Sequence, residues 1–296
     1  MMNKSRRGFL KRIAVAGAGI AVTPLVSVRK SFAEKMKQRR DSDVGMLYDA
    51  TKCIGCKACE IACKKANFMP VEYGPDDIWD APRELSSKTL TVIKLYKGDK
   101  EESFIKRQCM HCVDPVCVSG CPTTALVKEI NGVITWDKDA CVGCRYCQMG
   151  CPFNIPKYEF EANYGNIVKC EMCSKSGLLG LGETACTTAC PTGANIFGKQ
   201  KKLLKIAQNR LRKNPEKYNG KIFGEFDSGG TGAIYLAGVS FDKLGFPHLP
   251  EYSSARISEG IQHTIYYNMI APVLIYFGLT VIAFRNLRSD KKEKKE

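Results

Sequence analysis

Hydrophobic positions along this chain of 296 residues fall into two long terminal runs and a set of short interior runs bounded by turn residues. Gly132-Val133-Ile134-Thr135-Trp136 and Ala194-Asn195-Ile196-Phe197-Gly198 predict short strands, and Thr89-Leu90-Thr91-Val92-Ile93-Lys94-Leu95, rich in β-branched residues, predicts another. Leu203, Leu204, Ile206, Ala207 and Leu211 recur near helical spacing, which predicts a helix over residues 199–212. Residues 68–103 open with a loop containing Pro70, Pro75 and Pro82. Glycine, proline and aromatics dominate residues 215–250, which read either as an extended segment packed over the domain or a partner, or as a disordered linker.

The terminal runs carry targeting information. Ser5-Arg6-Arg7-Gly8-Phe9-Leu10-Lys11 precedes a mildly apolar run over residues 13–28, and Ser31-Phe32-Ala33 then supplies small residues where cleavage would fall. Residues 1–33 therefore read as a twin-arginine signal peptide. A basic amphipathic helix is the alternative, but Gly and Ala through residues 14–21 leave no polar face. Near the other end, residues 265–284 are predominantly apolar, with Asn268 and Thr280 as the clearly polar members. A transmembrane helix is expected within residues 261–285, with a buried core helix as the alternative. The tail over residues 286–296 is basic, so the positive-inside rule puts the C-terminus in the cytoplasm and the rest on the periplasmic face of the inner membrane, as a single-pass protein in contact with the lipid bilayer.

A net charge of +15 would suit a nucleic-acid binder, but its distribution excludes that class. Residues 1–40 and 285–296 together carry +13, leaving +2 for residues 41–284. The positive balance belongs to targeting, and no basic domain is left to track phosphates.

Sixteen cysteines supply the chemistry. They form four groups of four: Cys53, Cys56, Cys59 and Cys63; Cys109, Cys112, Cys117 and Cys121; Cys141, Cys144, Cys147 and Cys151; Cys170, Cys173, Cys186 and Cys190. The first and third share the spacing C-x2-C-x2-C-x3-C, and the other two lengthen the middle gap. Pro122, Pro152 and Pro191 follow the last cysteine of three groups, where Lys64 stands in the first. C-x2-C-x2-C-x3-C-P is the bacterial ferredoxin run: iron in a cubane needs a soft thiolate at each corner, and three closely spaced cysteines cap three corners while a distant one reaches the last. The repeating pattern of cysteine loop, short helix after the last cysteine and β-like run predicts an α+β ferredoxin plan.

Zinc would also accept CxxC pairs, but a third cysteine at equally short spacing in three of the groups is foreign to such sites. Disulfides would suit an exported protein with an even cysteine count. A chain exported folded, however, carries its thiolates already ligated. Haem attachment of the c type needs CxxCH, which is absent; His111 lies inside Cys109-Met110-His111-Cys112, and His248 and His263 read as surface or interface residues. No nickel-ligand motif, GxGxxG fingerprint or GxSxG elbow is present, so no catalytic residue is assigned.

Taken together, the signal, Gly45-Met46-Leu47-Tyr48-Asp49, Cys109-Met110-His111-Cys112-Val113-Asp114-Pro115, Gly143-Cys144-Arg145-Tyr146-Cys147, Asn154-Ile155-Pro156-Lys157-Tyr158 and Ile261-Gln262-His263-Thr264 resemble the four-cluster iron–sulfur electron-transfer subunits of membrane-bound respiratory complexes. Within them the chain is most similar to the HybA type of periplasmic uptake hydrogenase. The resemblance implies two ferredoxin-like modules, each with two 4Fe–4S clusters, the second inserted into the first: a tetra-cluster domain over residues 41–200, with an outer module of 41–67 and 162–200 and an inner module of 104–161. An extended connector would follow over residues 201–260.

It also implies crossed ligation, and so four 4Fe–4S clusters. One would take Cys53, Cys56, Cys59 and Cys190, and its pair Cys170, Cys173, Cys186 and Cys63. Within the inner module, Cys109, Cys112, Cys117 and Cys151 would hold one, and Cys141, Cys144, Cys147 and Cys121 the other. The implied function is relay of electrons from a periplasmic hydrogenase catalytic dimer to an integral membrane quinone-reactive subunit. The alternative is the β subunit of a formate dehydrogenase or another molybdopterin oxidoreductase.

Overall fold

The computed structural model describes residues 37–71, 84–99, 101–162 and 165–293. The signal peptide expected over residues 1–33 lies outside the described residues. One compact unit ends at Ala255. Its elements, in chain order, are β1 (Val44–Asp49), α1 (Ala58–Ala66), β2 (Val92–Lys97), β3 (Glu102–Arg107), α2 (Val116–Ser119), β4 (Leu126–Lys128), β5 (Ile134–Trp136), α3 (Tyr146–Gly150), β6 (Lys157–Tyr158), β7 (Ile167–Val168), α4 (Ala185–Thr188), β8 (Asn195–Lys199), α5 (Gln200–Lys213) and β9 (Ala233–Leu236).

The main sheet has the order β8-β1-β9. β1 runs antiparallel to β8, with Tyr48 opposite Asn195, and parallel to β9, with Met46 opposite Ala233. Five of its six residues are buried, as a strand covered on both faces requires. Three antiparallel hairpins complete the β structure: β2 with β3, β4 with β5, and β6 with β7.

The helix expected over residues 199–212 is α5, whose Leu203 and Ala207 pack with Leu47, Ile234 and Leu236 under the sheet. The strand expected from Thr89 begins three residues later, at Val92, because Thr89 is held in a tight turn whose backbone pairs it with Ser86. Residues 215–250 supply β9 and an aromatic cluster. Phe223 stacks edge-on against Phe246 at 4.5 Å between centroids and packs against Phe241 and Phe153, while Tyr235 lies 5.2 Å from Phe246. The glycines and aromatics that looked like linker composition in sequence thus form core.

The expected helix after each last cysteine is not found. The short helices carry or precede the later cysteines, and residues 122–123, 152–153 and 191–192 are turns. A residue before proline avoids the helical region, and Cys151 accordingly has φ −74° and ψ 113°. In the first group Lys64 replaces the proline, so α1 continues through Cys63 to Ala66.

The C-terminal helix α6 (Ala255–Glu293) contains Pro272, and Thr280 Oγ1 donates to the Tyr276 carbonyl at 2.8 Å. The single-pass span expected over 261–285 is corrected: among the described residues no helix is long and apolar enough to cross a membrane. The helix extends into charged sequence at both ends, and Asn268, Pro272, Gly278 and Thr280 dilute its middle. The bilayer contact and the single-pass placement on the periplasmic face, with the C-terminus inside, rested on that span and fall with it.

Candidate metal centres

Each cysteine group opens with the same backbone turn. Two residues past the first cysteine stand Gly55, His111, Gly143 and Met172, with φ of 71°, 45°, 67° and 50° respectively. A positive φ comes readily to glycine and costs other residues about 1 kcal/mol, so His111 and Met172 are held there by the loop's demand. The turn aims backbone N–H groups at sulfur: Gly55 N donates to Cys53 Sγ and Met172 N to Cys170 Sγ, both at 3.4 Å. In the first and third groups the helix then starts from a left-handed residue, Lys57 or Arg145.

Further donors converge on the thiols. Ala185 N reaches Cys173 Sγ and Asn195 Nδ2 reaches Cys186 Sγ, each at 3.4 Å, and Asn67 Nδ2 lies 3.6 Å from Cys63 Sγ. Thr123 and Thr192, each two residues after a last cysteine, place their hydroxyls 3.8 Å from Cys121 and Cys190. Backbone and threonine hydrogen bonds hold these two half-exposed thiols below the usual range against the effect of burial. None of these donors besides the cysteine loops themselves was singled out from sequence; Asn195 and the Cys-Pro-Thr repeat were visible there but carried no spacing rule.

Most other thiols are buried, and burial pushes them up: Cys59, Cys117 and Cys170 to about 12, Cys147 to about 11. Neighbouring sulfur atoms raise them further, both within the four sets expected from sequence and between them. Cys63 faces Cys170, Cys186 and Cys173. Cys53 faces Cys56 and Cys190. Cys112 faces Cys117, Cys151 and Cys109, and Cys147 faces Cys121, Cys144 and Cys141. A cleft lined by Cys121, Cys141, Cys144 and Cys147, with Leu126, Trp136 and Ile167, encloses the last set.

All sixteen cysteines are free thiols. Among the described residues, no three His, Cys, Asp or Glu side chains are close enough to hold a single metal ion. A cubane keeps its four thiolates farther apart than one ion would, and all-sulfur sets ringed by N–H donors suit an iron–sulfur cluster. The residues present therefore fit that cofactor and do not assemble a zinc site.

The geometry agrees with comparison to known proteins. Residues 101–200 match the family described as 4Fe-4S dicluster domain. The Hydrogenase-2 operon protein HybA of Escherichia coli O157:H7 is 37% identical, over 97% of each chain. The nitrate-inducible formate dehydrogenase iron-sulfur subunit of Escherichia coli K12 is 36% identical over 73% of this chain and 72% of its own. The formate dehydrogenase-O iron-sulfur subunit of the same strain is 36% identical over 76% of this chain and 77% of its own.

Proposed function

Because the chain belongs to the family of HybA-type iron–sulfur subunits and binds 4Fe–4S clusters in electron transfer, we propose that it holds four of them in crossed sets and serves a hydrogenase. Cys53, Cys56, Cys59 and Cys190 would hold one, and Cys63, Cys170, Cys173 and Cys186 its pair. Cys109, Cys112, Cys117 and Cys151 would hold a third, and Cys121, Cys141, Cys144 and Cys147 the fourth. The observation that carries the crossing is the position of Cys63 among Cys170, Cys173 and Cys186, more than a hundred residues away along the chain. The direct pairing of β1 with β8, which bracket all four cysteine groups, supports an outer module built from both ends of the domain around an inner one.

When bound, each cluster supplies a one-electron relay whose potential depends on burial and on hydrogen bonds to sulfur. Electrostatic influence between thiols of different proposed sets supports one order: Cys59 with Cys186, Cys170 with Cys109, and Cys117 with Cys147. The Cys53 set and the Cys141 set therefore form the two ends, and Cys144 at the latter end is exposed. No group on this chain needs to act as acid, base or nucleophile for such a role.

Hydrogenase is preferred to formate dehydrogenase as the source of electrons because likeness to HybA extends over 97% of the chain, against 73% for the nitrate-inducible subunit. The partners would then be a nickel–iron catalytic dimer and an integral membrane quinone-reactive subunit. Affinity purification of the chain from its own cells, followed by metal analysis, tests this choice. Nickel in the complex with hydrogen-dependent reduction of the iron is expected; molybdenum with formate-dependent reduction would move the chain to the other branch.

A further inference from the structure

Lys106 occupies a place unusual for lysine. It lies on β3 opposite Ile93, where its side chain is completely buried, and Nζ has no nitrogen or oxygen partner. A hairpin ordinarily alternates buried and exposed positions, yet Ile105 and Lys106 are both buried, so the strand turns this lysine inward at some cost. What faces the ammonium is sulfur. The thiols of Cys186 and Cys59 support its charge most strongly, followed by the phenol of Tyr235. The same ammonium acts on Cys63, Cys170 and Cys173, so all four thiols of one proposed set and Cys59 of the next sense it.

An uncompensated buried cation is strongly disfavoured, and a methionine would fill the same space without that penalty. A thiolate-bound cubane supplies the compensation, since it is negative in both redox states and gains one further negative charge when reduced. A fixed cation beside it therefore favours the reduced form and raises the potential. We propose that Lys106 is the counter-charge that sets the reduction potential of the cluster held by Cys63, Cys170, Cys173 and Cys186, making it a better electron acceptor than neutral surroundings would. The proposal rests on the ligand assignment given above. Lys106 is a positioning residue for charge and no ligand. Its position near Cys59 as well places it at the junction of two sets.

The test uses the full chain purified without oxygen, as wild type, Lys106→Met, Lys106→Gln and Lys106→Arg, with iron analysis and redox titration followed by EPR. Both neutral variants are expected to keep the wild-type iron content and to show one midpoint displaced to more negative potential, with the Cys121, Cys141, Cys144 and Cys147 cluster unmoved. Arginine should hold the midpoint near wild type. Unchanged midpoints in both neutral variants, or an equal displacement of every cluster, overturn the proposal. Wild-type iron well short of four clusters sinks the ligand assignment, and the proposal with it. If neither neutral variant loads its cluster, spin-echo spectroscopy of wild type grown on isotopically labelled lysine decides. A lysine nitrogen coupled to that reduced cluster and lost in Lys106→Arg supports the proposal, and its absence overturns it.

Discussion

Arg210 on α5 reaches the fully buried carboxylate of Asp49 at the end of β1, with Nη1 2.9 Å from Oδ2. The same oxygen accepts from the Tyr218 hydroxyl at 3.0 Å, and Oδ1 accepts from Thr51 N at 3.2 Å, capping the turn that leads into Cys53. One carboxylate thus ties the sheet, α5 and the first cysteine loop together. Asp49→Ala leaves a guanidinium and a phenol facing an empty site, and should cost about 3 kcal/mol, read as a lowered denaturation midpoint. Arg210→Ala should cost less, since the arginine side chain is 21% exposed and water can replace it at the edge.

Cys63→Ser addresses the crossing. The EPR signal of the cluster assigned to Cys170, Cys173 and Cys186 should be disturbed, and that of the Cys53, Cys56 and Cys59 cluster should persist. Loss of the latter signal alone would show that the pairing is wrong.

Lys64→Pro gives the first group the same ending as the other three, yet it should be harmful. Lys64 lies inside α1, where proline removes a helical hydrogen bond and its ring crowds the preceding turn, at a cost of about 3 kcal/mol. Lys64→Ala, which keeps the helix, should unfold at a higher denaturant concentration than Lys64→Pro. Equal midpoints would mean that the side chain, which donates to the Pro70 carbonyl at 3.2 Å, matters more than the helix.

Gly45→Ala tests how closely β1 and β9 approach. A Cβ at residue 45 would stand 2.1 Å from the Gly232 carbonyl oxygen, which is backbone and has little room to move. The strands would have to separate, with a loss of about 2 kcal/mol measured by chemical denaturation.

Metal content separates iron from zinc. The purified chain should contain about sixteen irons and be brown. Stripping that iron should lower the thermal midpoint, because thiolate–metal bonds contribute directly to folding. A colourless, zinc-rich protein would remove the cluster reading.

Much of the site was legible in sequence because cysteine spacing is a local property. A tight turn with three thiols is specified within a few residues, and the repeated motif revealed it without any knowledge of the fold. The helix over α5 was legible for the same reason, since its apolar positions recur on one face. The aromatic core was not. Phe223, Tyr235, Phe241 and Phe246 belong to a glycine-rich stretch with no period, and only their convergence beside β9 makes them interior. Lys106 was also illegible: in sequence it is one of many lysines, and burial among thiols follows from how the β2–β3 hairpin lies against the cysteine loops. The apolar run near the C-terminus misled, because composition counted residues that the long helix surrounds with charged and polar neighbours.

The sequence by itself determined the chemistry, since the spacing of sixteen thiolates is written in covalent connectivity and suits iron–sulfur cubanes better than the alternatives. Only the tertiary structure decided which distant segments lie side by side and that Lys106 is buried where they meet. Those relationships depend on β1 pairing with β8 and β9, contacts between segments about 150 residues or more apart that no local pattern encodes.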